Sequence, residues 1–403
     1  MAKTLELYVH IPFCVKKCSY CDFLSFPADE RTQGEYTQAL IKEIAYYGKQ
    51  MKEYTVTTIF IGGGTPSWLH ENRMLDILKS IDTNFQVSRE AEITMECNPG
   101  TLTLEKLKKY YDAGVNRLSI GLQSADDNEL KLLGRIHTFS QFLKTYEMAR
   151  EVGFKNLNVD LISGIPYQTA EKFLKTLKTV VRLKPEHISA YSLIVEEGTP
   201  FYEEYRADVN RQRQGMPTSF LPNEDEVYRI YKTTQKFLTD MGYGQYEISN
   251  FARNGYECKH NIGYWTRENY LGVGIGAASL MENVRYSNTT DIYEYIKGAD
   301  EICEKTFEQE NGTFVTGTNL HGSAERVSRK AQMEEYMFLG LRMKEGVTRE
   351  GFLQAFGVPI EGVYHEVIEH LKKEELLETT EGRIKLTDKG MDLSNYAMSQ
   401  FLL

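Results

Sequence analysis

The feature that most restricts the fold is an alternation of strand-like and helix-like segments up to residue 195. The predicted strands are Leu5–Ile11, Thr57–Ile61, Glu92–Cys97, Arg117–Gly121, Asn156–Leu161 and His187–Leu193. The predicted helices between them are Tyr36–Lys49, Met74–Ile81, Leu104–Ala113, Phe139–Val152 and Ala170–Leu183. Strands separated by helices form parallel βαβ units with right-handed crossovers, so the pattern predicts an α/β fold, a partial (β/α)6 TIM-like barrel. A doubly wound open sheet is the alternative that the pattern leaves open.

The second half of the chain has a less regular pattern. The charged segment Gly198–Gln214 is predicted as a loop, Glu224–Met241 as a helix and Tyr243–Phe251 as β-like. The segment Glu308–Glu325, with its Asn311-Gly turn signal, is predicted as a turn-rich connection.

The C-terminal region reads as helices followed by a hairpin. Helices are predicted at Gln332–Leu341 and Tyr364–Lys373, and a β-hairpin over Leu377–Leu386 turns at Glu381-Gly382. This order indicates a winged-helix-like domain. We expect three units: a barrel at 1–200, a barrel extension at 201–310 and the C-terminal domain at 311–403.

The charge of the chain bears on its partners. The formal net charge is −10, which argues against sequence-independent nucleic-acid binding because that needs a basic surface. From Arg326 to Leu403 there are eleven Lys or Arg against thirteen Asp or Glu, a balance of −2. The C-terminal domain is therefore expected to be structural or to dock a partner. An iron–sulfur regulator that uses this domain on DNA is a further alternative.

Three cysteines follow the first predicted strand directly. Cys14, Cys18 and Cys21 have the spacing C-x3-C-x2-C, and their thiolates can hold three corners of a [4Fe–4S] cluster. The iron without a protein thiolate can take an exchangeable ligand, and the amino and carboxylate groups of S-adenosylmethionine suit it. Electron donation from the cluster could then cleave the sulfonium and start radical chemistry. The alternatives are three buried thiols or a zinc knuckle, for which His10 is the nearby fourth ligand.

The remaining cysteines indicate the compartment. Cys97, Cys258 and Cys303 are scattered and do not suggest a disulfide framework, so thiols kept for metal binding imply a reducing compartment. The N-terminus lacks the apolar region of a signal peptide, and no run is apolar enough to span a membrane. We expect a cytoplasmic protein.

Polar residues and glycines lie at the ends of predicted strands, where barrel enzymes gather their chemistry. Gly62-Gly63-Gly64-Thr65 follows the second strand, and glycines there would let a ligand approach exposed amide donors. Glu96, Gln123 and Asp160 interrupt otherwise apolar strands, and a ribose or an ammonium group would satisfy them. The alternative is that they bond neighbouring loops. Arg135 could clamp a carboxylate bidentately or be a solvated surface charge.

A second cluster runs from Cys258 to Trp265. His260 can ligate haem iron, and Tyr264 and Trp265 offer flat apolar contacts for a macrocycle, with Asn261 beside them. The alternative is a hydrogen-bonded packing corner, with Cys258 as another iron ligand or an inert thiol. The following Gly272-x-Gly274-x-Gly276 has no long helix after it, so a dinucleotide loop is disfavoured.

Together these motifs resemble the radical S-adenosylmethionine family of oxygen-independent coproporphyrinogen III dehydrogenases and their relatives, the HemW haem chaperones. The resemblance runs nearly end to end, and its specific part is the ordered set of Tyr8-Val-His-Ile-Pro-Phe, the three cysteines, Gly-Gly-Gly-Thr-Pro and the Gln and Asp strand ends. It implies that Cys14, Cys18 and Cys21 bind the cluster. The positions that it implies for S-adenosylmethionine are Tyr8, Tyr20, Gly63, Gly64, Thr65, Glu96, Gln123, Arg135 and Asp160.

Two departures separate the branches of this family. The dehydrogenases have a further cysteine where this chain has Phe23, and a sizeable segment before the cluster motif where this chain has thirteen residues. The chaperone branch shares His-Asn-x-x-Tyr-Trp, matched by His260, Asn261, Tyr264 and Trp265 and associated with haem binding, with His260 as the expected iron contact. Many relatives have a histidine where Ala278 stands, which leaves no second ligand there.

The resemblance therefore implies a haem chaperone that binds haem and hands it to an apo-haemoprotein acceptor. Its cofactors would be a [4Fe–4S] cluster, exchangeable S-adenosylmethionine and haem. An electron donor is needed if S-adenosylmethionine is cleaved, an acceptor at a membrane would bring transient membrane association, and no nucleic acid is expected. The alternative function is a true dehydrogenase that decarboxylates two propionates of coproporphyrinogen III.

Overall fold

Strands and helices alternate in the first half of the chain. The structure is a computed structural model and describes residues 3–310 and 312–403. The elements are β1 Lys3–Ile11, α1 Glu30–Gln50, β2 Tyr54–Gly63, α2 Glu71–Asn84, β3 Gln86–Cys97, α3 Leu104–Asp112, β4 Arg117–Gln123, α4 Asp127–Leu132, α5 Phe139–Val152, β5 Leu157–Ser163, α6 Ala170–Arg182 and β6 His187–Ser192. The six predicted strands and five predicted helices are confirmed, several of them longer than expected.

The second half adds shorter elements. They are α7 Pro200–Arg213, α8 Glu224–Asp240, β7 Gly244–Gln245, β8 Asn250–Ala252, α9 Lys259–Thr266, β9 Tyr270–Val273, β10 Ala278–Met281, β11 Val284–Asn288, α10 Ile292–Gly298, β12 Glu304–Glu308, β13 Phe314–Thr318 and β14 His321–Arg326. The C-terminal elements are α11 Arg329–Gly340, β15 Val347–Thr348, α12 Arg349–Phe356, α13 Glu361–Lys373, β16 Leu377–Thr379, β17 Arg383–Leu386, α14 Asp388–Asp392 and α15 Ser394–Ser399.

The central sheet has the strand order of six successive βα units. Strands β1 to β6 are parallel neighbours in chain order, β9 extends the sheet in parallel beside β1, and β8 adds antiparallel to β6. The twelve strands run in the order β14-β11-β10-β9-β1-β2-β3-β4-β5-β6-β8-β7, and no pairing among the described residues joins the two ends. This is the α/β arrangement expected of a partial barrel, in which ligands gather at the carboxyl ends of the strands.

The strands are apolar on one face only. In β4, Leu118, Ile120 and Leu122 are buried in the core that also contains residues of α3 and α5. The alternate residues of β4, which are Arg117, Ser119, Gly121 and Gln123, line an internal cavity instead. Because successive side chains of a strand point to opposite faces, this alternation gives the barrel an apolar outside and a polar inside.

The prediction of a loop over Gly198–Gln214 was wrong, because α7 occupies Pro200–Arg213. Thr199 caps the helix by accepting a hydrogen bond from the Tyr202 amide, and Pro200 stands at its first turn. Phe201, Tyr205 and Val209 are spaced by four residues and form the buried stripe that packs against Ile162 and Ile165. The high charge of the segment belongs to the exposed face of this helix.

The prediction of a turn-rich connection over Glu308–Glu325 was also wrong. β12 and β13 form an antiparallel hairpin, and β14 pairs with β11 at the edge of the large sheet. Most of the side chains of β12 and β13 are exposed, so the segment lacks the hydrophobic alternation by which strands are recognised. The predicted turn at Asn311-Gly involves a residue outside the described ones.

The C-terminal region has its own hydrophobic core. Its residues run from Met333 to Phe401 and come from α11 to α15 and a three-stranded sheet in the order β15-β17-β16. The predicted hairpin is confirmed as β16 and β17. Helices with a short antiparallel sheet are the arrangement expected of a winged-helix-like domain. No helix within residues 3–310 and 312–403 has the length and apolar character needed to cross a membrane.

Candidate functional site

A cavity of about 580 Å³ lies at the carboxyl ends of the six parallel strands. Thirteen of the predicted site residues line it: Cys14, Cys18, Tyr20, Cys21, Gly63, Gly64, Thr65, Glu96, Gln123, Arg135, Asp160, Asn261 and Tyr264. Tyr8, His260 and Trp265 are not part of this lining. The fold therefore brings residues from the ends of four strands, the loops after β1 and α4, and α9 around one volume.

The cysteine loop forms one wall of the cavity. Its base is closed by backbone hydrogen bonds from the Cys14 amide to the Phe26 carbonyl (3.1 Å) and from the Phe26 amide to the Pro12 carbonyl (2.9 Å). All three thiols are half-buried and free of disulfides, and burial raises the pKa of the Cys21 thiol. Three soft sulfur donors on one loop suit an iron–sulfur cluster.

Two of these sulfurs belong to a network of polar side chains. The Asn98 amide donates to Thr65 Oγ1 at 2.7 Å, so the hydrogen of this hydroxyl is free for Cys14 Sγ, 3.4 Å away. Arg135 Nη2 donates to Asn98 Oδ1 at 2.5 Å and to the Gly121 carbonyl at 2.8 Å, while Nη1 lies 3.6 Å from Cys18 Sγ. Hydrogen bonds to cluster sulfurs are a means by which proteins tune reduction potential.

Arg135 is partly buried and its terminal nitrogens contact Asn98, Gly121 and Cys18, so its interpretation as a solvated surface charge was wrong. Its Nε has no hydrogen-bond partner among the described residues. A buried donor without a partner is costly, and an oxygen of a bound ligand would satisfy it. The carboxylate of S-adenosylmethionine is an acceptor of the required kind, which is the fit expected from the resemblance.

The zinc alternative finds no support at His10. Its Nδ1 is 3.0 Å from the Tyr8 hydroxyl and its Nε2 is 2.9 Å from the Leu24 carbonyl, so both ring nitrogens have partners. Among the described residues, no three His, Cys, Asp or Glu side chains are gathered closely enough to hold a single metal ion.

The glycine segment after β2 packs against the cysteine loop. The amides of Gly64 and Thr65 donate to the carbonyls of Ile11 and Phe13, both at 2.8 Å, and the Gly63 amide donates to Glu96 Oε2 at 3.0 Å. A Cβ on Gly64 would come within 2.8 Å of the Phe13 carbonyl oxygen. The expectation of exposed amide donors was therefore wrong, because all three amides have protein partners. These glycines are required for the close approach of two strand ends.

Two carboxyl groups lie inside the cavity. Burial, with the neighbouring Asp160 as the second cause, raises the pKa of Glu96 to about 8. Burial also raises the pKa of Asp160, which accepts hydrogen bonds from Ser119 Oγ (2.7 Å) and Asn158 Nδ2 (2.8 Å). One oxygen of Glu96 and both oxygens of Asp160 therefore have hydrogen-bond partners within the protein, as the alternative to a ligand site predicted.

The two predicted tyrosines differ in position. Tyr20 lines the cavity within the cysteine loop, and its ring meets Phe201 edge-on with the centroids 6.4 Å apart. Tyr8 lies deeper, beside Phe60, and its hydroxyl is bonded to His10. Tyr8 therefore supports His10 instead of lining the cavity.

Helix α9, which carries the His-Asn-x-x-Tyr-Trp motif, packs against the inside of the barrel. Glu92 of β3 caps its first turn, with carboxylate oxygens 3.2 Å from the Lys259 amide and 3.3 Å from the His260 amide. Gly263 lies against the Glu6 carboxylate so closely that a Cβ would overlap it. Burial is the main cause that raises the pKa of Glu6 to about 9.

His260 is fully enclosed. Its Nδ1 is 2.7 Å from Thr58 Oγ1, its Nε2 is 3.1 Å from the Tyr264 hydroxyl, and its ring stacks on Phe60 with the centroids 5.2 Å apart. Burial lowers its pKa to about 3, with Arg117 as the second cause. In this conformation neither ring nitrogen is free to bind iron, so His260 does not fit a haem ligand as it stands.

The other members of the motif face different ways. Asn261 and Tyr264 line the cavity, whereas Trp265 packs under Arg342, whose guanidinium carbon is 4.3 Å from the ring centroid. Cys258 is buried, with its Sγ 3.5 Å from Glu92. The motif residues therefore face different surroundings, and His260 lies in a hydrogen-bonded packing corner, which is the alternative given for this motif.

Sequence reasoning missed several polar residues of the lining, among them Asn98, Arg117, Ser119 and Asn158. Arg117 is fully buried, and its Nε has no hydrogen-bond partner among the described residues. The signal was available, because Arg117 and Ser119 alternate with apolar residues in β4, as Asn158 and Asp160 do in β5. Asn98 follows β3 in a turn and gave no periodic signal.

Comparison with known proteins identifies the family of the chain. Residues 8–180 match the model of the radical SAM superfamily, and residues 327–393 match the HemN C-terminal domain. The chain is 37% identical over 403 residues to "Heme chaperone HemW" of Lactococcus lactis, which covers 100% of this chain and 98% of that relative. It is 36% identical to the protein of the same name in Bacillus subtilis, over 98% of both chains.

A solved structure extends the agreement to the fold. The structure described as coproporphyrinogen III oxidase (HemN) from Escherichia coli, a radical SAM enzyme, matches with a TM-score of 0.81 and 25% identity, over 99% of this chain and 90% of that chain. Identity above a third over nearly the full length of both chains leads to one assignment. The chain belongs to the HemW family of the radical SAM superfamily.

Proposed function

We propose that this protein is a haem chaperone, which binds haem and transfers it to an apo-haemoprotein acceptor while carrying a [4Fe–4S] cluster with exchangeable S-adenosylmethionine. The observation that carries the proposal is that three free cysteine thiols line the same cavity as the charged groups of Glu96, Arg135 and Asp160. The name of the Lactococcus and Bacillus relatives supports haem as the cargo.

In this proposal Cys14, Cys18 and Cys21 hold the cluster. The cluster with S-adenosylmethionine supplies reductive cleavage of a sulfonium, which side chains alone do not provide. The unpartnered Nε of Arg135 receives the methionine carboxylate, and Glu96 in its ionised form pairs with the methionine ammonium. Asp160, Gln123 and Tyr20 contact the nucleoside. Gly63, Gly64 and Thr65 form the adjoining wall of the cavity. Tyr8 lies below the cavity and holds His10 in place through its hydroxyl.

The haem-binding part rests on the motif of α9. Asn261 and Tyr264 already line the cavity and can contact a bound ring. The roles of His260 as an iron contact and of Trp265 as a ring contact stay predictions, and they require His260 to leave Thr58 and Tyr264. Ala278 supplies no second ligand.

The domain division and the setting are also proposals. Because β14 pairs with β11 in the large sheet, we place the start of the C-terminal domain after residue 326 instead of at residue 311. The barrel spans 1–200 and its extension follows.

Six free cysteines fit a reducing, cytoplasmic setting. The acceptor, and an electron donor if S-adenosylmethionine is cleaved, would be its partners, and an acceptor at a membrane would bring transient membrane association.

The alternative is an oxygen-independent coproporphyrinogen III dehydrogenase. It is favoured by the likeness of the whole chain to the HemN structure. Phe23, which takes the place of the additional cysteine of the dehydrogenases and is exposed at the cavity, argues against it.

The proposal is tested by haem titration followed by transfer. The cluster-loaded protein is titrated with haem, and the haem-loaded protein is mixed with an apo-haemoprotein whose spectrum reports uptake. We expect stoichiometric binding and transfer that is faster than from free haem aggregates. Failure of the protein to bind haem would overturn the proposal.

A further inference from the structure

We propose that the buried guanidinium of Arg117 binds a propionate of haem, at the same time as His260 of α9 contacts the iron. Arg117 is the first residue of β4, and its side chain lines the cavity. The inference rests on the proposed function, because it takes haem as the cargo and α9 as the helix that holds it. It adds an anion-binding group that the motif of α9 does not contain.

The first argument is that Arg117 is a buried charge without a protein partner. The residue is 2% exposed, and its Nε has no hydrogen-bond partner among the described residues. Within residues 3–310 and 312–403, no carboxylate forms an ion pair with it either. A guanidinium always carries its charge and offers five donors, so its burial without acceptors is costly. The oxygens of a bound carboxylate would supply the missing acceptors.

The carboxylates around Arg117 are already engaged. Those that act on it through their charge include Glu92 and Asp160. Glu92 accepts hydrogen bonds from two backbone amides in the first turn of α9, and Asp160 accepts them from two side chains of β4 and β5. These oxygens therefore hold α9 and the pair of strands, and the guanidinium stays available to a ligand that enters the cavity.

The second argument is that the cavity contains two guanidinium groups at different heights. Arg135 donates to the Gly121 carbonyl near the end of β4, close to the cysteine loop, whereas Arg117 begins the same strand. The backbone between Arg117 and Gly121 spans about 13 Å, at about 3.3 Å per residue. S-adenosylmethionine has a single carboxylate, which the proposed function gives to Arg135. The second guanidinium therefore needs an anion from another molecule, and haem brings two propionates.

The third argument is the place of Arg117 beside α9. Its charge is the second cause of the lowered pKa of His260, and Glu92, which acts on Arg117, also caps the first turn of the helix. Tyr264 bonds His260 Nε2 at 3.1 Å and lines the same cavity as Arg117. When Tyr264 yields this nitrogen to iron, the porphyrin lies at the end of the cavity where Arg117 stands. One contact on the iron and one on a propionate would then fix both the position and the rotation of the ring.

The test compares ligands with and without free propionates on the full-length, cluster-loaded protein. Haem and its dimethyl ester, in which both propionates are esterified, are titrated into the parent, Arg117→Gln and Arg117→Lys in the same mixed solvent. S-adenosylmethionine is titrated into the same preparations. The control variant is Arg31→Gln, at an arginine whose side chain is 84% exposed on α1. Iron and sulfide content is measured for every protein, so that only proteins with equal cluster loading are compared.

We expect the parent to bind haem at least about tenfold more tightly than the ester, a difference equivalent to about 1.4 kcal/mol. Arg117→Gln should lose this preference and bind both ligands as the parent binds the ester, because the amide carries no charge. Arg117→Lys keeps the charge without the planar fork, so it should retain part of the preference. The affinity for S-adenosylmethionine should be unchanged in both variants, and Arg31→Gln should match the parent throughout.

Equal affinity of the parent for haem and for its ester overturns the inference without the need for any variant. A preference that persists in Arg117→Gln overturns it by placing the propionate elsewhere. Equal losses for haem and the ester, or a loss for S-adenosylmethionine alone, also overturn it, because Arg117 would then support the fold or bind the other ligand. Absence of haem binding by the parent protein contradicts the proposed function itself.

Discussion

The guanidinium of Arg135 contacts the sulfur of Cys18, with Nη1 and Sγ 3.6 Å apart. The same guanidinium bonds Asn98, and Asn98 bonds Thr65, which reaches Cys14. Two of the three candidate cluster ligands are therefore linked through a single, partly buried polar network. A network of this kind holds the thiols in place and sets the electrostatic environment in which a cluster would be reduced.

Replacement of Arg135 is expected to lower the reduction potential of the reconstituted cluster. A positive group that donates toward a cluster sulfur favours the reduced, more negative state, so Arg135→Gln should make the cluster harder to reduce. A redox titration of the reconstituted protein measures this, with Arg31→Gln on the exposed face of α1 as the control. An unchanged potential at full cluster occupancy would show that Arg135 does not tune the cluster.

The affinity for S-adenosylmethionine is expected to depend on the ionisation of Glu96. Because its pKa is raised to about 8, the group is protonated at neutral pH and must lose its proton to pair with an ammonium. Affinity should therefore rise by up to about tenfold per pH unit below about 8 and level off above it.

Equilibrium binding across a pH series measures this profile. Glu96→Gln cannot ionise, so its profile should be flat in the same range, and its affinity above about pH 8 should be the lower of the two. A rise in affinity that persists in Glu96→Gln would assign the pH dependence to another group.

Glu6 is expected to destabilise the fold progressively as the pH rises from about 4.5 to about 9. Its pKa is raised from 4.5 to about 9, so the folded protein holds a proton that the unfolded chain releases in this window. The free energy of unfolding should then fall by about 1.4 kcal/mol per pH unit as the pH rises through the window.

The variant Glu6→Gln removes this dependence. Chemical denaturation should find it more stable than the parent at about pH 8, with the difference shrinking as the pH approaches the ordinary carboxyl pKa. A difference that is independent of pH would mean that Glu6 is ionised in the folded protein.

The contact between α9 and β1 predicts a strong effect of a small substitution. A methyl group on Gly263 would overlap the Glu6 carboxylate, so Gly263→Ala should lower the free energy of unfolding by about 1–3 kcal/mol. The control is Gly382→Ala, at a glycine whose Cβ would meet open space, and it should be neutral. Equal stabilities of the two variants in denaturant would show that α9 is not held against the barrel interior.

The βα units of the barrel were predictable because each strand and helix buries a continuous apolar face. Leu118, Ile120 and Leu122 in β4, for example, give a period of two that needs no tertiary information. Helix α7 was missed because six of its fourteen residues are charged, although Phe201, Tyr205 and Val209 kept helical spacing. β13 has a single buried apolar residue, Val315, and its pairing with β12 is visible only in three dimensions.

The sequence predicted which residues line the candidate site better than it predicted the hydrogen bonds between them. The position of Glu96 and Asp160 near strand ends follows from the topology, whereas the burial of Arg135 depends on Asn98 in a distant turn. The orientation of His260 could not be read from its motif, because the partners that enclose it, Thr58 and Phe60, lie on β2, about two hundred residues away.

The central claim, that this protein moves haem and does not make its precursor, is tested most directly by anaerobic turnover. The cluster-loaded protein is incubated with reductant, S-adenosylmethionine and coproporphyrinogen III, and protoporphyrinogen IX is measured beside an authentic coproporphyrinogen dehydrogenase. We predict no product beyond one equivalent per chain, with an intact cluster and with retained haem binding in the same preparation. Product formed over many turnovers would contradict the account and identify the protein as a dehydrogenase.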